Sequence, residues 1–364
     1  MLTTGHCNNT HKKCLAVVKL QLHFLCVVEP ECSSTCATQS QEIQQPKQTN
    51  LDMRVLCVDS VVKFSDHKLF THLTGFTYDR FLSIYNFLVP DGCSQPFTFS
   101  KIQHDIETLS LQDQLFLTLV RLRQGTALMY LSFQFGISVT SAGLIFNNWI
   151  DYMYLRLGTL SIWPHRDIII AHMPSKYRAE YPNTVAIIDC TELHVHRPSS
   201  LTIQSQCYSE YKSGTTLKGL IAIDPRGSVI FISKLFTGSI SDKEIVKQSG
   251  FLELLKQLIA AGRLNVGDAI MADKGFDTNS ELQALGILLN IPPKCSTKKQ
   301  MVPGDVELTK KIAAHRVHVE RAIARIKQFK LVGHKVPATL FPKINTIWSV
   351  CCALTNFQDF LIRD

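Results

Sequence analysis

The C-terminal half of the chain alternates short apolar runs with stretches of helical spacing. The runs TVAIID, LKGLIAID, SVIFISKLF, DAIMAD and GILLNIPP are short and largely apolar, which is typical of buried strands. Good turn chemistry from Asp224 to Gly227 separates the second run from the third and predicts a hairpin. Since helical segments lie between the runs, the pattern predicts an α/β fold with a mixed sheet flanked by helices.

Two helical segments follow the hairpin. The first begins at Ser241 or Asp242 and ends at Gly262, although Gly250 makes one uninterrupted helix doubtful. The second is a long helix from roughly 305 to 330. Its apolar stripe predicts that it docks on the sheet, and the stripe consists of Ile312, Val319, Ile323 and Ile326.

The N-terminal half divides into two parts. Residues 1–50 are polar at their end and predict a low-complexity or disordered segment. Residues 51–158 regain apolar character and predict a helical region. Within it, the stretch at about 128–152 has the spacing of a helix-turn-helix, because Gly136 allows a sharp turn and Ser138 can cap the next helix.

The second helix of this motif is where base-reading residues usually lie. Its first turn carries Thr140 and Ser141, whose hydroxyls could contact phosphates or base edges. The same turn has no Lys or Arg, which favours the alternative of an ordinary antiparallel helix pair. Both interpretations stay open at the level of sequence.

Basic residues are concentrated in one segment. The chain has 364 residues and a formal charge of +8, and eleven Lys or Arg against three Asp or Glu lie between Lys294 and Lys335. This distribution suits a polyanion such as DNA, whereas the plain alternative is a solvated helix face. The twelve cysteines include no C-x-x-C pair, and no run reaches the roughly 20 apolar residues of a membrane span, so neither a zinc finger nor a membrane protein is expected.

Three acidic residues are the candidates for chemistry. Asp189 and Asp273 each end an apolar run, and Glu320 lies in the basic helix. Aspartates at the carboxyl ends of neighbouring strands would share one rim of the sheet, and carboxylates in that arrangement hold hard divalent cations. Taken singly, each Asp is equally typical of a solvated strand end. Glu320 could simply pair with Arg316, four residues earlier.

The order of several motifs resembles the DDE superfamily endonucleases of the Harbinger transposase type. The matching stretches are IIDCTE, YKSGTTLKGLIAIDPRG, GSISDKEI, MADKGF, LNIPP, HRVHVERAIARIK and IWSVCCALTNFQ. The resemblance covers about residues 183–358, and the helix-turn-helix before them fits the same family. It implies an RNase H-like fold in which Asp189, Asp273 and Glu320 bind divalent metal, Mg²⁺ or Mn²⁺, most simply as two ions.

The resemblance also implies the partners of the site. DNA is the expected substrate, with Lys212, Lys218, Arg316 and Lys327 as candidates for contact with its backbone. Asp242 is a candidate accessory carboxylate, while His194, His196 and His318 are read as structural or phosphate-facing.

The expected location is the nucleus, with the cytoplasm left open, and a separate DNA-binding partner protein is also left open. The alternative function is a catalytically silent DNA-binding or partner-binding protein that keeps the fold.

Overall fold

The computed structural model describes residues 55–64, 68–90, 96–99, 105–293 and 302–362. The predicted low-complexity segment lies outside these ranges, so its prediction has no structural counterpart here.

Helices make up the first part of the described chain. Within the described ranges, eight helices precede the first strand: α1 (Val58–Phe64), α2 (Lys68–Thr74), α3 (Tyr78–Leu88), α4 (Leu111–Gln124), α5 (Leu128–Phe135), α6 (Val139–Gly158), α7 (Arg166–Ala171) and α8 (Ser175–Glu180).

The helix-turn-helix is formed by α5 and α6. Helix α5 ends at Gly136, whose φ of 63° is left-handed and is accessible to glycine at little cost. Ser138 then caps α6, because its hydroxyl accepts a hydrogen bond from the backbone N–H of Ser141 at 3.1 Å. The predicted turn and cap are both confirmed. In the described part of the chain no single helix is long and apolar enough to span a bilayer, and α5 with α6 meets that test only as a pair bent by 103°.

A seven-stranded mixed sheet follows. Its strands are β1 (Thr184–His194), β2 (Tyr208–Ser209), β3 (Gly214–Ile223), β4 (Val229–Ile232), β5 (Phe236–Thr237), β6 (Ala269–Met271) and β7 (Leu288–Asn290). The path β2-β3-β1-β6-β7 forms the sheet, and β4 and β5 both pair with β3. Strands β1, β6 and β7 are parallel to one another, whereas β3 is antiparallel to β1 and to β4. The predicted mixed sheet of an RNase H-like α/β fold is confirmed, as is the hairpin between β3 and β4.

The remaining helices lie between and after the strands. They are α9 (Leu201–Cys207), α10 (Asp242–Gln248), α11 (Phe251–Ala260), α12 (Asn279–Gln283), α13 (Pro303–Lys327), α14 (Lys330–Gly333) and α15 (Ile344–Leu354), with short 3₁₀ turns at Ala338–Lys343 and Thr355–Phe357. The segment that begins at Ser241 forms two helices, because Gly250 adopts a left-handed φ of 81° between them.

Alternate residues of β1 face opposite sides of the sheet and belong to different cores. Ile187 and Leu193 join a cluster that includes the N-terminal helices and the apolar stripe of α13. Ala186 and Ile188 join a second cluster with α10 and α11. Position 189 has the same parity as 187 and 193, so its side chain lies on the face that α13 covers.

Candidate metal and nucleic-acid site

Asp189 lies in the middle of a strand rather than at its end. The apolar run stops at Asp189, but β1 continues for five more residues and remains paired with β3 through His194. The prediction that Asp189 ends a strand is therefore wrong. The strand tolerates polar residues beyond it because they find partners across the ladder, as Glu192 does opposite Lys218.

Asp273 follows β6 closely, as the sequence predicts. Strands β1 and β6 are parallel neighbours with Ile187 opposite Met271. Asp189 comes two residues after Ile187 within β1, and Asp273 comes two residues after Met271 in the loop that follows β6. Asp273 is held by a hydrogen bond that its carboxylate accepts from the backbone N–H of Lys274 at 2.8 Å.

Glu320 reaches this area from α13, through Arg316. The guanidinium of Arg316 lies between two acids: its Nη1 is 3.8 Å from Oδ2 of Asp189, and its Nη2 donates to Oε1 of Glu320 at 3.0 Å. The i, i+4 pair that is the plain alternative for Glu320 is thus present. The same cation also contacts Asp189, so one guanidinium links the first and third acids.

The carboxyl group of Asp189 has a raised pKa of about 7, mainly because burial disfavours its charged form. The charge of Arg316 and the backbone N–H of Cys190 oppose this effect. The negative charges of Asp242 and Asp273 add smaller effects that raise the pKa of Asp189 further. The site therefore concentrates negative charge that favours a nearby cation.

The donor chemistry fits hard divalent cations. Carboxylate oxygens are the ligands that Mg²⁺ and Mn²⁺ prefer, and Arg316 already places one positive charge between Asp189 and Glu320. Among the residues that the structure describes, however, no group of three or more His, Cys, Asp or Glu is gathered closely enough to hold a metal ion. The described arrangement thus holds the acids around a guanidinium instead of gathering them as metal ligands.

A buried polar network lies on the opposite face of β1, and the sequence interpretation did not single it out. Glu192 accepts hydrogen bonds from the hydroxyls of Thr216 at 2.6 Å and Ser209 at 3.1 Å, and it lies 3.7 Å from the ammonium of Lys218. Lys218 also contacts Asp242 at 3.2 Å. A charged residue inside an otherwise strand-like run was the available signal for Glu192.

Two predicted DNA-contacting lysines have other roles in the structure. The ammonium of Lys218 is only 14% exposed and is bound by Asp242, by Glu192 and by the carbonyl oxygen of Ile240. Lys327 is half-buried and donates to the carbonyl oxygen of Glu192 at 3.0 Å. Both predictions need correction, because these ammonium groups hold protein atoms and face inward.

Lys212 remains an exposed candidate for DNA contact. Its ammonium lies 4.4 Å from the ring centroid of Tyr211, whose side chain is 84% exposed. A cation beside an exposed aromatic ring suits nucleic acid, since the ring can stack on a base while the cation meets a phosphate. Tyr211 precedes Lys212 in the sequence but was not predicted to be functional.

Thr140 and Ser141, the two predicted DNA-contacting residues of the helix-turn-helix, differ in their exposure to solvent. Ser141 is fully buried, and its hydroxyl donates to Oδ1 of Asp105 at 2.6 Å. The prediction that Ser141 contacts DNA is therefore wrong, because its hydroxyl is used inside the motif. Thr140 is exposed and stays a candidate.

The outer surface of the motif is apolar. Met129, Tyr130 and Phe133 of α5 are 68%, 58% and 70% exposed, and neither α5 nor the first four turns of α6 carries a Lys or Arg.

The predicted histidines lie around the site at different depths. His194 and His196 are exposed. His318 is partly buried, and its Nδ1 is buried without a hydrogen-bond partner. Burial, reinforced by the charge of Arg321, lowers the pKa of His318 to about 4, so its imidazole is neutral near pH 7.

Comparison with known proteins agrees with this geometry. Residues 188–356 match the family described as DDE superfamily endonuclease, and residues 107–159 match the helix-turn-helix of DDE superfamily endonuclease. The chain is 22% identical to "Protein ALP1-like" of Arabidopsis thaliana over 222 residues, which are 58% of this chain and 53% of that protein. The chain thus spans about half the length of this curated relative. The two family matches together cover more than half of the sequence, and their order agrees with the helical region followed by the sheet. The chain therefore belongs to the DDE superfamily endonucleases of the Harbinger type.

Proposed function

We propose that this chain is a divalent-metal-dependent DNA endonuclease of the Harbinger transposase type, either a transposase or a derivative retained by its host. The observation that supports the proposal is that Asp189 and Asp273 each come two residues after Ile187 and Met271, which pair between the parallel strands β1 and β6. Glu320, on the helix that covers the same face as Asp189, is linked to Asp189 by a shared guanidinium.

The acids are the proposed holders of the metal. Asp189, Asp273 and Glu320 would bind two Mg²⁺ or Mn²⁺ ions, which when bound supply an activated nucleophile and stabilise the leaving oxygen of a phosphodiester. The network of Lys218 and Asp242 supports this role, because it fixes the start of α10 beside the loop that carries Asp273. Gly275 of that loop lies so near Asp242 that an added Cβ would be 3.5 Å from its Oδ2.

DNA is the proposed substrate, and Lys212 with Tyr211 is the proposed first contact for its backbone and bases. Arg316 adds a guanidinium at the rim, whose two-pronged geometry suits a phosphate. A nuclear location follows from a DNA substrate and is proposed on that basis alone.

The decisive test is cleavage of supercoiled plasmid by purified protein with and without Mn²⁺. Asp189→Asn should reduce Mn²⁺-dependent nicking at least about 100-fold, since it removes a carboxylate charge from the proposed metal site, while DNA binding at low salt stays near wild type. Asp59→Asn, an exposed aspartate of α1, is the matched control and should cleave like the wild type. Equal cleavage by Asp189→Asn and the wild type would refute the proposal.

A second candidate function has one observation in its favour. The exposed apolar side chains of α5 are unusual for a DNA-reading surface and are typical of a surface that binds another protein. The alternative is therefore a catalytically silent partner-binding protein that keeps the fold. It predicts that wild-type protein, Asp189→Asn and a metal-free sample all leave the plasmid intact.

A further inference from the structure

We propose that Arg316 is an internal counter-cation that holds the unloaded site together and must leave its carboxylates before divalent metal can bind. This inference rests on the proposed function, since it concerns the order of events at the same site. It adds to the proposed phosphate contact of Arg316 an earlier role, before metal is bound.

The position of the guanidinium is the first argument. Two of its nitrogens address two different acids, with Nη1 at 3.8 Å from Asp189 and Nη2 at 3.0 Å from Glu320. These are the first and third members of the acidic set that would hold the metal. A bound ion would need the same oxygens, so the guanidinium and the metal compete for them.

The surroundings of Asp189 are the second argument. Its side chain is 19% exposed and that of Arg316 is 18% exposed, so this pair is partly withdrawn from water and is not an ordinary surface ion pair. Asp273 adds a further acid in the loop after β6, the parallel neighbour of β1. A partly buried carboxylate that stays ionised is stabilised by a positive neighbour.

Two neighbouring lysines are bound to other groups, which is the third argument. Lys218 is held by Asp242 and Glu192 on the opposite face of β1, and Lys327 donates to the carbonyl oxygen of Glu192. Among the described residues, Arg316 is the cation that forms an ion pair with Asp189. Arg316 is not part of the apolar stripe that docks α13, so its long side chain can change partner while the helix stays in place.

A guanidinium that leaves the carboxylates also has a possible new partner. Once the carboxylates are bound to metal, the guanidinium is released at the rim, where a DNA phosphate offers a bidentate partner. Exchange of one partner for the other would make metal loading and phosphate binding favour each other, because each removes Arg316 from the acids.

Direct metal binding tests this inference without relying on cleavage. Mn²⁺ affinity is measured by electron paramagnetic resonance of the free ion, for wild type, Arg316→Lys and Arg316→Gln. Arg316→Gln should bind Mn²⁺ about three- to tenfold more tightly than the wild type, since the competing charge is gone. Arg316→Lys keeps one charge but cannot bridge two acids, so its affinity should be intermediate.

Thermal unfolding provides the second reading on the same samples. In EDTA, Arg316→Gln should melt below the wild type, because its carboxylates have lost their counter-cation. Saturating Mn²⁺ should raise the melting temperature of Arg316→Gln more than that of the wild type. Arg321→Gln, an exposed arginine of the same helix, is the control and should match the wild type in both measurements.

The outcomes separate the two proposals. Suppose that Asp189→Asn abolishes Mn²⁺ binding, but Arg316→Gln binds Mn²⁺ no more tightly than the wild type. This result would overturn the role of Arg316 and leave the proposed metal site standing. Absence of Mn²⁺ binding in all variants, or binding that Asp189→Asn does not change, would overturn both.

Discussion

The helix-turn-helix and the carboxylate site belong to one family of DNA-processing proteins, yet in this chain their chemistry differs sharply. Between residues 105 and 158 there are three Lys or Arg and four Asp or Glu, whereas α13 alone carries six basic and three acidic residues. The polar contacts of the motif are short hydrogen bonds turned inward, such as that of Ser141 to Asp105. Those of the site are charged and lie at a partly open rim.

This difference shows that the shape of a helix-turn-helix and the charge of its surface are specified separately. The turn at Gly136 and the cap at Ser138 preserve the shape of the helix-turn-helix, because shape depends on backbone conformation and local hydrogen bonds. Affinity for DNA depends mainly on lysines and arginines that neutralise phosphates, and the outer face of this motif has none on α5 or on the first four turns of α6. In the site, acids and bases are retained together. The site is thus the stronger candidate for contact with a polyanion.

The largest expected effect is on stability, and it comes from removing a buried charge beside the site. Lys218→Met leaves Glu192 and Asp242 without their shared cation, and loss of one partner from a buried ion pair costs about 3 kcal/mol of unfolding free energy. Urea denaturation of the variant and the wild type measures the loss. Lys256→Met, an exposed lysine of α11, is the control and should change stability by less than about 0.5 kcal/mol. Equal stability of Lys218→Met and wild type would contradict the charge network.

DNA binding provides a smaller but sharper comparison of the two regions. Lys212→Gln should weaken binding to a mixed-sequence duplex about three- to tenfold and reduce the salt slope by about one, because one phosphate contact is lost. Thr140→Ala in α6 should change binding less than about twofold. Fluorescence anisotropy at several salt concentrations measures both variants. A greater loss for Thr140→Ala than for Lys212→Gln would move the DNA-binding surface to the helix-turn-helix.

The smallest expected effect concerns pH. Since the folded pKa of His318 is about 4 and the unfolded value is near 6.5, the unfolded chain takes up this proton first as pH falls. The destabilising effect is therefore absent above pH 6.5 and grows until about pH 4. Between pH 7 and 5 in EDTA, the wild type should lose about 1 kcal/mol more stability than His318→Gln, after allowance for solvent screening.

Urea titrations of both proteins at the two pH values check this difference. Comparison with the variant removes the contributions of other titrating groups, including Asp189, whose raised pKa acts in the opposite direction. Parallel pH profiles for His318→Gln and the wild type would show that the buried imidazole has no such effect.

Local patterns were sufficient for much of the fold. The sequence alone predicts the mixed sheet, the hairpin after Asp224, the turn at Gly136 and the docking stripe of α13, because each depends on periodicity or on one residue's backbone preference. It also predicts that Asp189 and Asp273 share one rim if their apolar runs become neighbouring strands, and those strands are parallel neighbours in the structure. The turn, the cap and the stripe depend on residues close together in the chain, whereas this pairing joins two distant segments.

The features that could not be predicted from the sequence depend on contacts between residues that are distant in the chain. The end of β1 was misplaced because Glu192 looks unsuited to a buried strand until Thr216, Ser209 and Lys218 are brought opposite it. Ser141 looked available because its partner, Asp105, lies 36 residues earlier. The inward orientation of Lys218 and Lys327 was hidden for the same reason, since nothing near either lysine in the sequence indicates its acceptor.

Because Asp189 lies in the middle of β1, its backbone is held more firmly than that of Asp273 or Glu320. Asp189 is paired with Ile221 of β3 inside an eleven-residue inner strand, so it cannot shift without disturbing the sheet. Asp273 lies on a loop after a three-residue strand, and Glu320 is an exposed residue of α13. The three acids therefore differ in how much backbone pairing holds each of them, and Asp189 is the fixed point to which the other two must be fitted.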